Sequence, residues 1–327
     1  MRPRRPALWL ALAAPLIAEF VAANLPIAFL WLLIFYVPLY GGAAVLIREL
    51  GRRSARPWPV IVVLGLAYGL LEEAFVSFSL FNPDYADLRL LDFGWIDALD
   101  MGAWWTVFVL VLHTVWSILV PIVLIESLTG DERADRPWLS RRALWWPAGA
   151  LVFGAAAASS ITLAEDDFVP SSGQVVGAAL VLLALLGFAA ALSRPGSTPS
   201  EPTDRSAPRP LVLGTVAAGG ALVFVAGAAQ AGPPALTLVA YAVVGSVLVV
   251  QVARWSRRGD WSRRHELALA SGALGVHVAF ALLQAPLVDV PTWVAVGGDV
   301  VFALGTAVVV TCAWRRVARP VGAVDGG

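Results

Sequence analysis

The chain has 327 residues, of which 59% are hydrophobic and 14% are charged, whereas a soluble domain carries about 25% charged residues. Its 23 basic and 23 acidic residues cancel to a formal net charge of zero, so we expect no nucleic-acid partner. The sequence contains no lysine and a single cysteine, Cys312, which excludes a P-loop lysine, an internal disulfide and a Cys/His zinc finger. The composition indicates a protein of the lipid bilayer.

Apolar runs of the length that crosses a bilayer, roughly 20 residues, recur from end to end. A free backbone cannot be hydrogen-bonded by lipid, so each run is predicted to be a helix. The sequence therefore predicts an all-α polytopic bundle of about ten transmembrane spans. The predicted spans are 7–24, 26–47, 58–81, 103–126, 143–164, 174–193, 211–230, 234–253, 266–285 and 292–314.

The arginines between these runs predict the orientation. They cluster on one side of a ten-span chain and leave only Arg89 on the other, so the positive-inside rule puts both termini in the cytoplasm. Loop 82–102, with five aspartates, is then an outer loop, and the location is the cytoplasmic membrane. Residues 1–23 also resemble a cleavable signal peptide. Glu19 near the cleavage site and the second span that follows directly favour a retained helix.

The chain divides into four predicted regions. Residues 1–140 form a four-span region that carries the polar intramembrane site, and residues 141–193 form a helical hairpin. Residues 194–210, which are rich in proline and serine, are predicted to be a flexible cytoplasmic linker. Residues 211–327 form a four-span scaffold region.

Ionisable residues within spans are the first candidates for function, since each costs about 2.5–3.5 kcal/mol to insert and usually faces the bundle interior. Glu72 lies nine residues before the predicted end of its span, and His113 lies ten residues into the next. At a rise of about 1.5 Å per residue both lie about 15 Å below the outer surface, so they can meet. The candidates are Glu19, Glu72, Glu73, His113, His277 and Asp299.

Two helix faces support a meeting of Glu72, Glu73 and His113. Gly65 and Gly69 give the third span a small-residue packing face, which continues at helical spacing to the two glutamates. In the fourth span, Thr106, His113 and Ser117 form one polar stripe, and Pro121 beyond it is predicted to kink the helix. Adjacent residues diverge by about 100° around a helix, so we expect one glutamate to be catalytic and the other structural.

The candidate residues allow more than one role. Glu72, Glu73 and His113 are the predicted catalytic residues, and His113, His277 and Asp299 are the predicted ligands of a divalent metal such as zinc. A buried Glu–His pair can equally be a structural contact between two helices that has no catalytic role. Arg48 and Glu126, at the cytoplasmic ends of the second and fourth spans, are predicted to form a structural ion pair.

Two resemblances follow from these residues. The first rests on the string Tyr68-Gly69-Leu70-Leu71-Glu72-Glu73, then Ser79 to Pro83 with Asn82, then His113, Ser117, Pro121 and Glu126. It is a similarity to an uncharacterised family of polytopic prokaryotic membrane proteins. This similarity covers about residues 26–127 and implies no activity.

The glutamate pair followed by a histidine helix also resembles, more distantly, the CAAX protease and bacteriocin-processing superfamily of intramembrane metalloproteases. The resemblance implies that Glu72 and Glu73 match its glutamate pair and that His113 matches its first histidine. Ser77 stands where that family has an arginine, and Phe108 lies five rather than four residues before His113.

Three functions remain open on the sequence. The first is an intramembrane hydrolase, metal-dependent or not, with a membrane-embedded or lipid-like substrate. The second is a transporter coupled to protons or cations through the same carboxylates, although no inverted repeat is visible. The third is a membrane scaffold that docks partners on loop 82–102. The oligomeric state is left open.

Overall fold

A computed structural model of the protein describes residues 5–165, 168–195, 205–284, 286 and 288–318. Ten long helices are present in these ranges, one for each predicted span, which confirms the helical membrane fold. They are α1 (Pro6–Phe20), α2 (Ile27–Gly51), α3 (Pro57–Phe75), α4 (Ala103–Thr129), α5 (Arg142–Glu165), α6 (Ser172–Ser193), α7 (Pro210–Ala229), α8 (Pro234–Trp255), α9 (Arg263–Ala281) and α10 (Thr292–Val317).

Eight of the ten helices are long and apolar enough to cross a membrane. Helix α1 is too short, and α9 begins with charged residues that lower its mean hydropathy. Most of the predicted linker 194–210 lies outside the described residues.

Helices α3 and α4 form the centre of the protein. In each of them 67% of the apolar membrane-spanning stretch is buried inside the protein, compared with 6% in α8 and 11% in α10. The later helices therefore present most of their surface to the bilayer. A polar side chain on α3 or α4 is shielded from lipid by protein, which is the condition under which an ionisable residue is tolerated in a membrane.

The small-residue face of α3 packs directly on α4, as predicted. A Cβ atom placed on Gly65 would lie 3.2 Å from Cγ2 of Thr114, and one placed on Gly69 would lie 3.2 Å from Cβ of His113. These distances are too short for a larger residue to enter without movement. The absence of side chains at the two glycines therefore brings the backbone of α3 close to His113.

Three helices change to π-helical hydrogen bonding for one short segment each. Such segments are rare and occur mostly at functional sites. Each lies within two residues of a proline, Pro15, Pro38 or Pro121, because proline lacks an N–H donor and displaces the carbonyl of the preceding turn. The π-helical segments are Leu16–Phe20 in α1, Val37–Gly41 in α2 and His113–Leu119 in α4.

Helix α3 ends at Phe75, so the prediction that its span continues to residue 81 is wrong. The chain turns back instead, because the N–H groups of Val76 and Ser77 both donate to the carbonyl of Glu72. Phe78 then adopts a left-handed conformation with φ 56°. Glu72 is therefore three residues from the helix end rather than nine. The returning segment is buried, as irregular backbone at membrane depth must be.

Beyond this turn, loop 82–102 contains a short antiparallel pair of strands, β1 (Trp95–Ile96) and β2 (Met101–Gly102). Arg89 forms ion pairs with Asp84 at 3.0 Å and with Asp92 at 3.1 Å. The hydrogen bonds that Arg89 donates to Asp92 and Asp84 raise the pKa of its exposed guanidinium. The loop covers the end of α3 and joins it to α4.

The predicted ion pair between α2 and α4 is confirmed and belongs to a larger network. Nε of Arg48 donates to Glu126 at 3.0 Å, and Arg52 and Arg263 also bind the Glu126 carboxylate. Glu49 holds Arg48 from the other side at 2.5 Å. Arg48, Glu49 and Glu126 are fully buried. The network ties α2, α4 and α9 together at the ends of these helices opposite to loop 82–102.

Candidate functional site

Glu72 and Glu73 of α3 meet His113 of α4, as predicted. Nε2 of His113 lies 2.7 Å from Oε1 of Glu73 and 3.4 Å from Oε2 of Glu72. The three residues are between 4% and 8% exposed. One ligand atom from each lies within 4.8 Å of the other two. We call Glu72, Glu73 and His113 the central cluster.

Glu73 is held by hydroxyl groups from the turn that follows α3. Its Oε2 atom accepts hydrogen bonds from Ser77, at 3.1 Å, and from Ser79. Nε1–H of Trp105 in α4 donates to the Ser79 hydroxyl at 2.9 Å. The left-handed Phe78 turns the chain so that both serines reach the same carboxylate. Glu73 is therefore fixed on all sides.

His113 is oriented by a residue one turn further along α4. Its Nδ1 atom and the Ser117 hydroxyl form a hydrogen bond of 3.1 Å. When Nδ1–H donates this bond, the lone pair of Nε2 points towards the two glutamates, and the 2.7 Å approach to Glu73 then requires a proton or a cation between the two atoms. Ser117 is fully buried. The predicted polar stripe on α4 thus fixes the ring orientation of His113.

Glu72 differs from Glu73 in its contacts. Across the described residues, its carboxylate interacts with His113 and with the neighbouring carboxyl group of Glu73, and it accepts no serine hydroxyl. The expectation that the two glutamates play different parts agrees with this asymmetry. Glu73 is fixed by its surroundings, whereas Glu72 keeps acceptor positions for another group.

Glu19 of α1 borders the cluster. Tyr40 of α2 donates a 2.5 Å hydrogen bond to Oε1 of Glu19, and Asn24 donates to Oε2 at 3.5 Å. The Glu19 carboxylate is close enough to His113 and Glu73 to interact with their charges. All of the first four helices therefore contribute polar side chains to one site, three of them from π-helical segments.

Four of the five tyrosines of the chain surround these carboxylates. The rings of Tyr40 and Tyr68 each lie 5.8 Å from the ring of His113. Loss of hydration and the charges of Glu73 and Glu72 raise the pKa of Tyr85, which lies in loop 82–102. The remaining member of the set is Tyr36 in α2.

These tyrosines were not among the residues predicted for the site, although their distribution along the sequence carried a signal. Tyr36 and Tyr40 are four residues apart on α2, as Tyr68 and Glu72 are on α3, and all precede residue 86. Ser77 and Ser79 were missed because the predicted helix continued through them.

Two other sequence candidates, His277 and Asp299, are not part of the central cluster. The ring of His277 stacks on Trp116 at 4.9 Å, and its Nε2 atom is buried without a partner among the described residues. Asp299 is partly exposed on α10. Neither joins the group of potential metal ligands found in the described residues. Asn82 is buried in the turn after α3, where its Oδ1 atom accepts from the N–H of Asp84 at 3.1 Å.

The central cluster suits a divalent cation by its donor types. Carboxylate oxygen and imidazole nitrogen are both zinc ligands, and catalytic zinc sites use three protein ligands and keep a fourth position open. Metal-bound histidines usually donate their other N–H to an acceptor, and ligating carboxylates are themselves hydrogen-bonded. Ser117 and the pair Ser77 and Ser79 provide these contacts for His113 and Glu73.

Comparison with known proteins gives one family. The model of a family described as an uncharacterized membrane protein family matches residues 8–323. No curated protein and no solved structure shows significant similarity to the chain. The match extends well beyond residues 26–127 and includes the later helices. The chain therefore belongs to this uncharacterized membrane protein family.

Proposed function

We propose that the protein is a membrane-embedded hydrolase that acts at the central cluster. The observation that carries this proposal is the different environment of two adjacent carboxylates. Glu73 is fixed by two serines and His113, whereas Glu72 reaches the same imidazole without being enclosed by donors. A carboxylate in this position can accept a proton from water, which is the task of a general base.

Each residue of the cluster has a distinct part in this proposal. Glu72 takes the proton of the attacking water through Oε1, the carboxylate oxygen that does not face His113, while Glu73 and Ser117 hold the imidazole of His113 in place. A divalent cation, when bound by the three residues, polarises water and substrate as a Lewis acid. The protein supplies a dry, shaped site, since the cluster is almost completely buried.

The charge of the site supports a bound cation. Glu19, Glu72 and Glu73 bring three carboxyl groups to a place where His113 is the one basic side chain among the described groups that interact with them. Buried charges are unfavourable unless they are paired or coordinate a metal. A divalent cation compensates the excess of negative charge.

The position of the site supports a substrate from the bilayer. The cluster lies on helices that are long and apolar enough to cross a membrane, so the proposed substrate is a membrane-embedded or lipid-like molecule. The proposal also draws on the resemblance of the glutamate pair and the following histidine helix to the CAAX protease superfamily.

Metal binding is tested on purified full-length protein in lipid nanodiscs. We expect one Zn²⁺ per chain by elemental analysis, lost in Glu72→Gln and His113→Gln. His277→Gln and Asp299→Asn are matched controls, because they change an intramembrane histidine and acid outside the cluster, and we expect them to keep the metal. A wild-type protein without stoichiometric metal contradicts the metal-dependent form of the proposal.

Hydrolysis is tested in cells that make wild-type or Glu72→Gln protein at equal levels. We expect lipid or peptide fragments in the membranes of the wild-type and Asp299→Asn cells that are missing with Glu72→Gln. Membrane lipids and peptides are compared by mass spectrometry. Identical profiles in all three strains contradict a hydrolase.

Proton- or cation-coupled transport is a second candidate, favoured by one observation. Ser117, His113, Glu73 and Ser79 form a continuous hydrogen-bonded row, which is the kind of arrangement that relays protons. Proteoliposomes loaded with a pH dye distinguish the two functions. Proton uptake that Glu73→Gln abolishes supports transport, and an unchanged internal pH excludes it.

We also infer that both termini lie in the cytoplasm and that the protein resides in the cytoplasmic membrane. The arginine network of Arg48, Arg52 and Arg263 lies at the helix ends opposite to the acidic loop 82–102. This separation of charge supports the orientation given by the positive-inside rule.

A further inference from the structure

We propose that the Tyr68 hydroxyl is the hydrogen-bond donor that the site offers to the carbonyl oxygen of a bound substrate. This inference rests on the proposed hydrolase function and names one more residue that contacts the substrate, together with its chemical class, a carboxylic ester or amide. Tyr68 precedes Glu72 by four residues on α3, so both side chains lie on the same face of the helix.

The ring of Tyr68 is held firmly beside the central cluster. It lies 5.8 Å from the ring of His113 at an interplanar angle of 89°, and 5.8 Å from the ring of Tyr40 at 70°. Tyr68 is 4% exposed. Its phenol is close enough to Glu72 and Glu73 to interact with their charges. The hydroxyl therefore has a defined position at the site.

The Tyr68 hydroxyl is buried and has no hydrogen-bond partner in the part of the chain that the structure describes. Two other tyrosine hydroxyls are paired: Tyr40, beside the cluster, donates to Glu19, and Tyr241, elsewhere in the fold, donates to the carbonyl of Phe224 at 2.7 Å. Buried hydroxyl groups are normally paired, and an unpaired one calls for an explanation. A hydrogen-bond acceptor on the bound substrate provides this explanation.

The reaction step balances with Tyr68 in this place. Water loses a proton to Glu72 while its oxygen forms a bond to the carbonyl carbon, and the carbonyl π electrons move onto the carbonyl oxygen. Tyr68 donates a hydrogen bond to that oxyanion. The carbonyl then reforms, the bond to the alkoxide or amide leaving group breaks, and Glu72 returns the proton to the leaving group. Donors aimed at a developing oxyanion are a major source of catalysis.

Acetohydroxamate is the probe, because it binds zinc through oxygen atoms that can also accept a hydrogen bond. Calorimetry on the zinc-loaded protein in nanodiscs compares wild type with Tyr68→Phe and with the matched control Tyr241→Phe. We expect Tyr68→Phe to bind acetohydroxamate about tenfold more weakly with unchanged zinc affinity. We expect Tyr241→Phe to match wild type.

The outcomes separate this inference from the proposed function. A wild-type protein that binds no zinc contradicts the metal-dependent form of the proposed function. A zinc-loaded protein whose acetohydroxamate affinity is the same in wild type and Tyr68→Phe overturns the role of Tyr68. A parallel loss of zinc affinity in Tyr68→Phe also overturns it, since the residue would then be structural. Thermal unfolding gives a second readout: Tyr68→Phe is expected to be as stable as wild type, whereas Tyr40→Phe is expected to be less stable.

Discussion

The buried arginine network gives the sharpest prediction about stability. Glu126 is fully buried and accepts hydrogen bonds from Arg48, Arg52 and Arg263. The substitution Glu126→Gln keeps the size of the side chain and removes its charge. Three guanidinium groups then lose a shared partner in a region without solvent, so the change tests whether the network holds α2, α4 and α9 together.

The expected loss of stability depends on the ion pairs that the arginines retain after the substitution. Removal of one partner from a buried ion pair costs about 3–5 kcal/mol. Arg48 retains Glu49 at 2.5 Å, and Arg263 retains Glu266 at 2.8 Å, which limits the loss. We therefore expect the free energy of unfolding to fall by about 3 kcal/mol, at the lower end of that range.

The assay is reversible unfolding of the purified protein in mixed micelles, followed by far-ultraviolet circular dichroism. Asp84→Asn is the matched control, because Asp84 also pairs with an arginine but both side chains are largely exposed. Exposed pairs contribute about 0–1 kcal/mol. A loss below about 1 kcal/mol in Glu126→Gln would refute the argument that burial makes this network important.

Three further predictions concern packing, the site and topology. Gly69→Val should lower the free energy of unfolding by about 1–3 kcal/mol in the same assay, because a Cβ atom at this position meets His113. Gly177→Val, which has open space around it, should leave stability unchanged. Equal effects of the two substitutions would contradict the close packing of α3 on α4. Ser79→Ala should weaken Zn²⁺ binding by about ten- to a hundredfold in calorimetry, because the substitution removes a hydrogen-bond donor to Glu73. Ser160→Ala, at an exposed serine, should leave the Zn²⁺ affinity unchanged. An unaltered affinity in Ser79→Ala would disprove the supporting role of Ser79. Asp97→Cys, introduced into protein in which Cys312 has been replaced, should react with a membrane-impermeant maleimide in intact cells, because loop 82–102 is proposed to face outwards. Labelling only after lysis would reverse the proposed orientation.

The helix number and the centre of the site could be predicted from the sequence because both depend on local patterns. Apolar runs predict spans, and the small residues Gly65 and Gly69 predict the face of α3 that meets His113. Charge at span ends predicted the contact of Arg48 with Glu126. Each of these inferences needs only the spacing within one helix and the cost of a charge in lipid.

The remaining features depend on tertiary contacts that spacing does not encode. The early end of α3 at Phe75 requires a left-handed Phe78 and a buried returning segment, and hydropathy alone treats that segment as more helix. Glu19, Tyr40 and His113 lie in short π-helical segments, and the hydropathy pattern does not distinguish these segments from regular helix. The third arginine on Glu126, Arg263, comes from α9, more than a hundred residues later in the chain.

X-ray absorption at the zinc edge of the zinc-loaded protein tests the central claim most directly. The account predicts one zinc per chain with one imidazole nitrogen and carboxylate oxygens at about 2.0–2.2 Å, and a spectrum that is unchanged in His277→Gln and lost in His113→Gln. A protein without bound zinc, a site with two imidazoles, or a sulfur ligand from Cys312 would contradict a metal centre formed by Glu72, Glu73 and His113.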